Sequence, residues 1–172
     1  MIISIGCDHI VTDIKDHLVR YLEEKGHEVI DNGTYDRERT HYPIYGKKTA
    51  EAVVTGKADL GIVLCGTGVG ITNSANKVKG ARVALVRDVV TARHAKEALN
   101  ANMIGVGGRI TGIGLIENIV DVFLETEYKE TEANKRFVAQ IDALIADDAS
   151  LGDEHFFDEF LAKWQCSGYP TE

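Results

Sequence analysis

Ala58-Asp59-Leu60-Gly61-Ile62-Val63-Leu64-Cys65-Gly66-Thr67-Gly68-Val69-Gly70-Ile71-Thr72 is the stretch around which the chain is organised. Residues 60–64 form a short apolar run of the kind a strand covered on both faces needs, and glycines at 66, 68 and 70 then let the backbone turn sharply into a helix. Cys65 is therefore expected at the tip of a buried strand. In an open α/β sheet small ligands bind at the carboxyl ends of the strands, where the amides of a Gly-rich turn can meet an anion. The spacing Gly66-x-Gly68-x-Gly70 is neither the G-x-G-x-x-G of dinucleotide sites nor a P-loop with its lysine, so no cofactor is implied. A thiol and a hydroxyl, Cys65 and Thr67, remain beside exposed N–H groups: a proton-transfer base next to an oxyanion-stabilising nest. The stretch alone does not separate this from a small buried hydrophobe with packing glycines.

Outward from it, strand and helix patterns alternate. Residues 2–6 read as a first strand, 13–25 as a helix stopped by Gly26, and 28–31 as a second strand. A charged loop, 34–41, leads to a helix from Tyr42-Pro43 to Gly56. Residues 81–86 and 102–106 read as the fourth and fifth strands, with helices over 89–99 and 112–124. Strands separated by helices imply right-handed crossovers, hence a Rossmann-like three-layer α/β sandwich with a five-stranded parallel sheet. Two C-terminal amphipathic helices are expected over 130–145 and 153–164. Phe137, Ile141, Leu144 and Ile145 line the first, and Phe156, Phe157, Phe160, Leu161 and Trp164 the second. That aromatic density suits subunit contacts. The domain expected over 1–148 is thus followed by a helical extension, 149–172, as an interface.

At 172 residues, 44% of them hydrophobic and two of them proline, the chain can bury a core as one domain. Twenty-seven acidic against nineteen basic residues give a net charge of −8, which argues against nucleic acid or an anionic membrane as partner. A signal peptide or spanning run is not apparent, so a cytoplasmic location is expected. The cysteines, Cys7, Cys65 and Cys166, have no metal-ligand or disulfide-framework spacing, so no metal site is expected.

Gly6-Cys7-Asp8-His9, Cys65-Gly66-Thr67-Gly68, Arg87-Asp88 and Gly107-Gly108-Arg109 each follow a strand and so share one sheet edge. A Cys, a Thr, an Asp, a His and an Arg there suit a small anionic substrate that loses and regains a proton. Each also has a plainer reading: Asp8 as a helix cap, His9 as a surface residue, Arg109 as a partner for a carboxylate.

These motifs, with Asp31-Asn32-Gly33-Thr34, Glu38-Arg39-Thr40-His41-Tyr42-Pro43 and Ala75-Asn76-Lys77, resemble the ribose-5-phosphate isomerase B and galactose-6-phosphate isomerase family over about residues 1–145. Within it the likeness is greatest to the B-type subunits of the galactose-6-phosphate enzymes. The resemblance implies a cofactor-free aldose-ketose isomerase with sites between paired subunits. By the same resemblance Cys65 is the base working through an enediolate, and Thr67 with the amides of Gly66, Gly68 and Gly70 stabilises the oxyanion. Asp8 would hold sugar hydroxyls and His9 and Arg109 the phosphate, with Arg39, Tyr42, Asn76 and Arg136 as further substrate contacts. A thiol base, ordinarily near pKa 8.5, also needs its thiolate favoured, for which the helix opening at Val69 is available.

Two departures stand out. Where self-sufficient members have a His-Asn pair for ring opening, this sequence has Ala98-Leu99, and one of two phosphate arginines is replaced by Glu132, leaving Arg136. A carboxylate repels a phosphate dianion. The implied partner is a homologous A-type subunit that completes the site for a small sugar phosphate, D-galactose 6-phosphate and D-tagatose 6-phosphate being the expected pair. A homomeric ribose-5-phosphate isomerase, a non-catalytic scaffold subunit and a thiol redox enzyme are the alternatives.

Overall fold

Why the apolar run at 60–65 becomes a central strand is plain from its surroundings: every residue of it is buried, as a parallel strand with helices on both faces must be. In the computed structural model, which describes residues 1–144, 153–155, 157–158 and 161–162, this run is β3 (Leu60–Cys65). Before it come β1 (Ile2–Cys7), a 3-10 turn (His9–Val11), α1 (Thr12–Glu24), β2 (Glu28–Asp31) and α2 (Tyr42–Val54). After it come α3 (Val69–Ala75), β4 (Val83–Leu85), α4 (Val89–Leu99), β5 (Met103–Gly107), α5 (Ile113–Glu125) and α6 (Glu132–Asp142). All strand pairings are parallel, in the order β2-β1-β3-β5-β4. The expected five-stranded three-layer sandwich is what the chain forms.

Alternation along the strands divides the core in two. Ile5, Ile62, Leu64 and Ile104 meet Leu18 and Leu22 of α1 and Ile116, Ile119 and Phe123 of α5 on one face. Val63, Cys65 and Met103 meet Ala50 and Val53 of α2 and Ile71 and Ala75 of α3 on the other.

β4 is shorter than the expected 81–86. It is an edge strand, and side chains replace part of its ladder: Arg82 N–H donates to Asn102 Oδ1 at 2.8 Å and Val83 N–H to Asn76 Oδ1 at 2.9 Å. α6 buries none of its residues, and Phe137, Ile141 and Leu144 stay exposed. It is fastened by ion pairs, Arg82–Asp142 at 2.9 Å and, just before it, Lys129–Glu97 at 2.9 Å. Ile145, Phe156, Phe160 and Trp164, and with them most of the expected 149–172 extension and its 153–164 helix, lie outside the described residues.

Gly68, with φ +80°, turns the chain from β3 into α3. A Cβ there would stand 2.8 Å from the carbonyl carbon of Val106 and 2.9 Å from the amide of Gly107, backbone atoms that cannot yield. Gly68→Ala should therefore cost about 3 kcal/mol in urea unfolding, the sum of left-handed strain and overpacking; a loss below about 1 kcal/mol would show that the turn relaxes.

Candidate active site

Three strand tips are laced together by backbone hydrogen bonds. Asp8 N–H donates to Leu64 O at 3.1 Å, Gly108 N–H to Cys65 O at 2.9 Å and Arg109 N–H to Gly66 O at 3.0 Å. The expected gathering of Asp8, His9, Cys65, Thr67 and Arg109 at one sheet edge is thus present.

Cys65 is buried, and its Sγ accepts a hydrogen bond from the Gly68 amide at 3.1 Å. Thr67 is exposed next to it, its hydroxyl 3.4 Å from the Val69 amide. α3 has only seven residues, so the helix contributes little field and the single Gly68 amide is the group that meets the sulfur. The ring of Tyr42 lies over the turn, for a Cβ on Gly70 would stand 2.7 Å from its Cζ. Gly66 is covered in the same way by Ile10.

Asp8 is both buried and a cap, accepting from the Ile10 amide at 3.1 Å. Burial pushes its carboxyl above the ordinary range, outweighing the Ile10 amide, His9 and Arg109, which act in the other direction. His9 Nδ1 accepts from the Thr40 amide at 3.3 Å. Arg109 is committed to its own chain: Nε donates to Ile10 O at 2.7 Å and the two terminal nitrogens reach Asp13 at 2.8 and 3.2 Å.

Two residues are placed elsewhere, and a third, Arg39, lies in a neighbouring loop. Asn76 turns its amide to the backbone of Val83, tying α3 to β4. Arg136 stands over Phe137 at 5.7 Å on α6. That helix is tied to Arg82 and Glu97 at the amino-terminal end of the sheet, so Arg136 and Cys65 of one chain sit at opposite edges. Arg39 is exposed in the loop between β2 and α2.

Lys15 is a residue the sequence reading passed over. It is 1% exposed, hydrogen-bonded to Asp31, 2.9 Å from Asp16 and 5.1 Å from the centre of the Tyr35 ring. The available signal was its place on the apolar face of α1, in helical register with Val11, Leu18 and Leu22. Cys7 is the contrast to Cys65. Burial drives its thiol up to about 12, against Lys15, the Thr34 amide and Thr12. Among the described residues no cluster of three His, Cys, Asp or Glu could hold a metal ion, and no helix is long and apolar enough to cross a membrane.

A thiol with one amide donor and an exposed hydroxyl beside it suit proton-transfer chemistry, and comparison with known proteins gives the class. The chain belongs to the ribose/galactose isomerase family, matched over residues 3–141, and is a sugar-phosphate isomerase. It is 68% identical to the galactose-6-phosphate isomerase subunit LacB of Clostridium acetobutylicum, over the full length of both chains. With ribose-5-phosphate isomerase B of Escherichia coli it shares 39% identity, covering 80% of this chain and 92% of that one. The solved structure of the Clostridium thermocellum ribose-5-phosphate isomerase B superposes with a TM-score of 0.81 at 41% identity, covering 84% of this chain and 97% of that one.

Two outcomes follow for the folded protein. Thiol alkylation at pH 8 should leave Cys7 unmodified in peptide maps, since only about one molecule in ten thousand would carry its thiolate. The Asp8 carboxyl, raised on folding, favours the protonated form; the stability this gives is complete below 3.8 and lost as pH rises through the folded value. Asp8→Asn, which keeps an acceptor for Ile10, should therefore melt above the wild type at pH 7, with the advantage vanishing below about pH 4. Equal melting at pH 7 would mean that the buried charge is compensated.

Proposed function

We propose that this chain is one of two homologous subunits of an isomerase interconverting D-galactose 6-phosphate and D-tagatose 6-phosphate. The observation that carries the reading is Cys65: a thiol at the tip of the central strand, beside the Thr67 hydroxyl and supplied with one amide donor. Full-length identity of 68% to a galactose-6-phosphate isomerase subunit supports the substrate and the need for a partner.

In the open-chain aldose the Cys65 thiolate takes the proton from C2. The electron pair forms the C1–C2 double bond, the C1 oxygen becomes the enediolate oxyanion, and Thr67 with the amides of Gly66 and Gly70 holds it while the Gly68 amide stays with the sulfur. The C1 oxygen is then protonated, the C2 hydroxyl gives up its proton to become the ketone, and the thiol returns its proton to C1. Asp8 holds sugar hydroxyls, while His9, Arg39 and Tyr42 face the phosphate end. Arg109, fastened to Asp13, braces the turn that carries Asp8 and His9.

The partner enters through α4. Where a ring-opening His-Asn pair would stand, this chain has Ala98 and Leu99, and Leu99 lines two hollows of about 450 and 150 Å³ beside β4. In this reading a homologous subunit seats there and supplies the ring-opening histidine and the phosphate arginines that Glu132 cannot replace. Arg136, at the far sheet edge, serves the partner's site. The likeness to ribose-5-phosphate isomerases B favours a second reading, a homomer acting on the pentose phosphate.

Isomerase assays of the purified chain alone and mixed with its homologous subunit decide between them. Turnover of galactose 6-phosphate only in the mixture is expected, with Cys65→Ser lowering kcat about 10²- to 10⁴-fold at nearly unchanged KM. Activity of the single chain on ribose 5-phosphate would establish the homomer, and full activity of a mixture containing Cys65→Ala would leave this chain a scaffold.

A further inference from the structure

The loop between β2 and α2 carries much charge and little apolar surface, yet it is pinned along its length. Asp31 at its start accepts from Lys15 and from the Gly33 amide at 2.8 Å, and Thr34 N–H donates to Cys7 O at 3.1 Å. The Thr12 hydroxyl donates to Asp36 O at 2.6 Å. At its far end Thr40 makes two contacts. Its hydroxyl lies 3.0 Å from the hydroxyl of Tyr45, whose ring packs against Gly33, and its amide points at His9 Nδ1 at 3.3 Å.

The direction of that last bond is not open to choice. A backbone N–H can only donate, so Nδ1 must offer a lone pair and carries no proton. In the neutral ring the proton is then on Nε2. We infer that Thr40 is a positioning residue, its amide holding His9 in the Nε2–H tautomer, with Tyr45 holding Thr40 in place. His9 then meets a ligand as a hydrogen-bond donor through Nε2, suited to a phosphate or hydroxyl oxygen, and takes no proton through that atom. The consequence for substrate binding rests on the isomerase reading above; the tautomer itself does not.

The ring nitrogens of the six histidines report the tautomer directly. In the full chain labelled with 15N-histidine, at a pH above the ordinary imidazole range, long-range 1H–15N correlations should show His9 protonated on Nε2, its signals identified by their loss in His9→Gln. Thr40→Ala keeps the amide and should keep the tautomer. Thr40→Pro removes the N–H and should lower the ratio of the Nε2–H to the Nδ1–H form about tenfold, the weight of one hydrogen bond. If the proline variant fails to fold, an ester in place of the 39–40 amide removes the same donor without the ring, accessible by ligating a synthetic 1–64 segment at Cys65.

A wild-type His9 protonated on Nδ1, or an unchanged ratio once the donor is gone, overturns the inference. In the mixture with the homologous subunit, loss of the donor should raise KM for galactose 6-phosphate about tenfold. If no sugar phosphate turns over but the ring reads Nε2–H, the isomerase reading fails and the tautomer stands. If Cys65→Ser abolishes turnover while His9 is protonated on Nδ1, the reverse holds.

Discussion

Everything at the carboxyl edge of the sheet depends on how closely the Gly68 turn approaches β5. The space a side chain would need there is filled by the backbone of Val106 and Gly107, and only a glycine in the left-handed region allows it. The same closeness recurs one turn into α3, where the Thr72 hydroxyl group occupies the place of the missing Cβ of Gly105. Held at this distance, the segment after β5 continues the ladder, Gly108 onto Cys65 and Arg109 onto Gly66. The Gly68 amide is brought back over the Cys65 sulfur as a result. The geometry around the thiol is therefore a by-product of backbone packing.

The polar residues around that thiol serve the fold as well. Asp8 caps the turn after β1, Arg109 clamps α1 through Asp13, and His9 receives the end of the loop from β2. Of these only Asp8 is buried, and its cost is partly offset by a partner within the chain. In a chain of net charge −8, the cations of the β1 to α1 corner are neutralised where they stand, Lys15 by Asp16 and Asp31 and Arg109 by Asp13.

Legibility followed the range of the interactions involved. β2 and α4 were placed to the residue because their ends are set by local interactions, in α4 by the Asp88 cap and the left-handed Asn100 that the structure shows. β4 was overestimated because an edge strand is trimmed by what lies beside it, here the side chains of Asn76 and Asn102, which no window of sequence contains. The tie that Asn76 makes was hidden for the same reason, its amide being drawn to a strand seven residues away. The strand-tip motifs were visible because glycine, cysteine and histidine are rarely grouped after apolar runs. Lys15 and Thr40 were not: the first hides as one polar letter on a helix face, and the second acts through its backbone, which every residue has.

The strand order holds a consequence for synthesis. β5 lies between β3 and β4 although it is made after β4, and β5 is the neighbour with which β4 pairs. As the nascent chain leaves the ribosome, β1, β2 and β3 can associate with α1, α2 and α3 as soon as they emerge. β4 and α4 must wait without a sheet to join until residues 103–107 have cleared the exit tunnel. The half of the molecule that bears Ala98 and Leu99 is thus the last to close, and a translational pause placed before β5 would leave an apolar hairpin of strand and helix within reach of other chains.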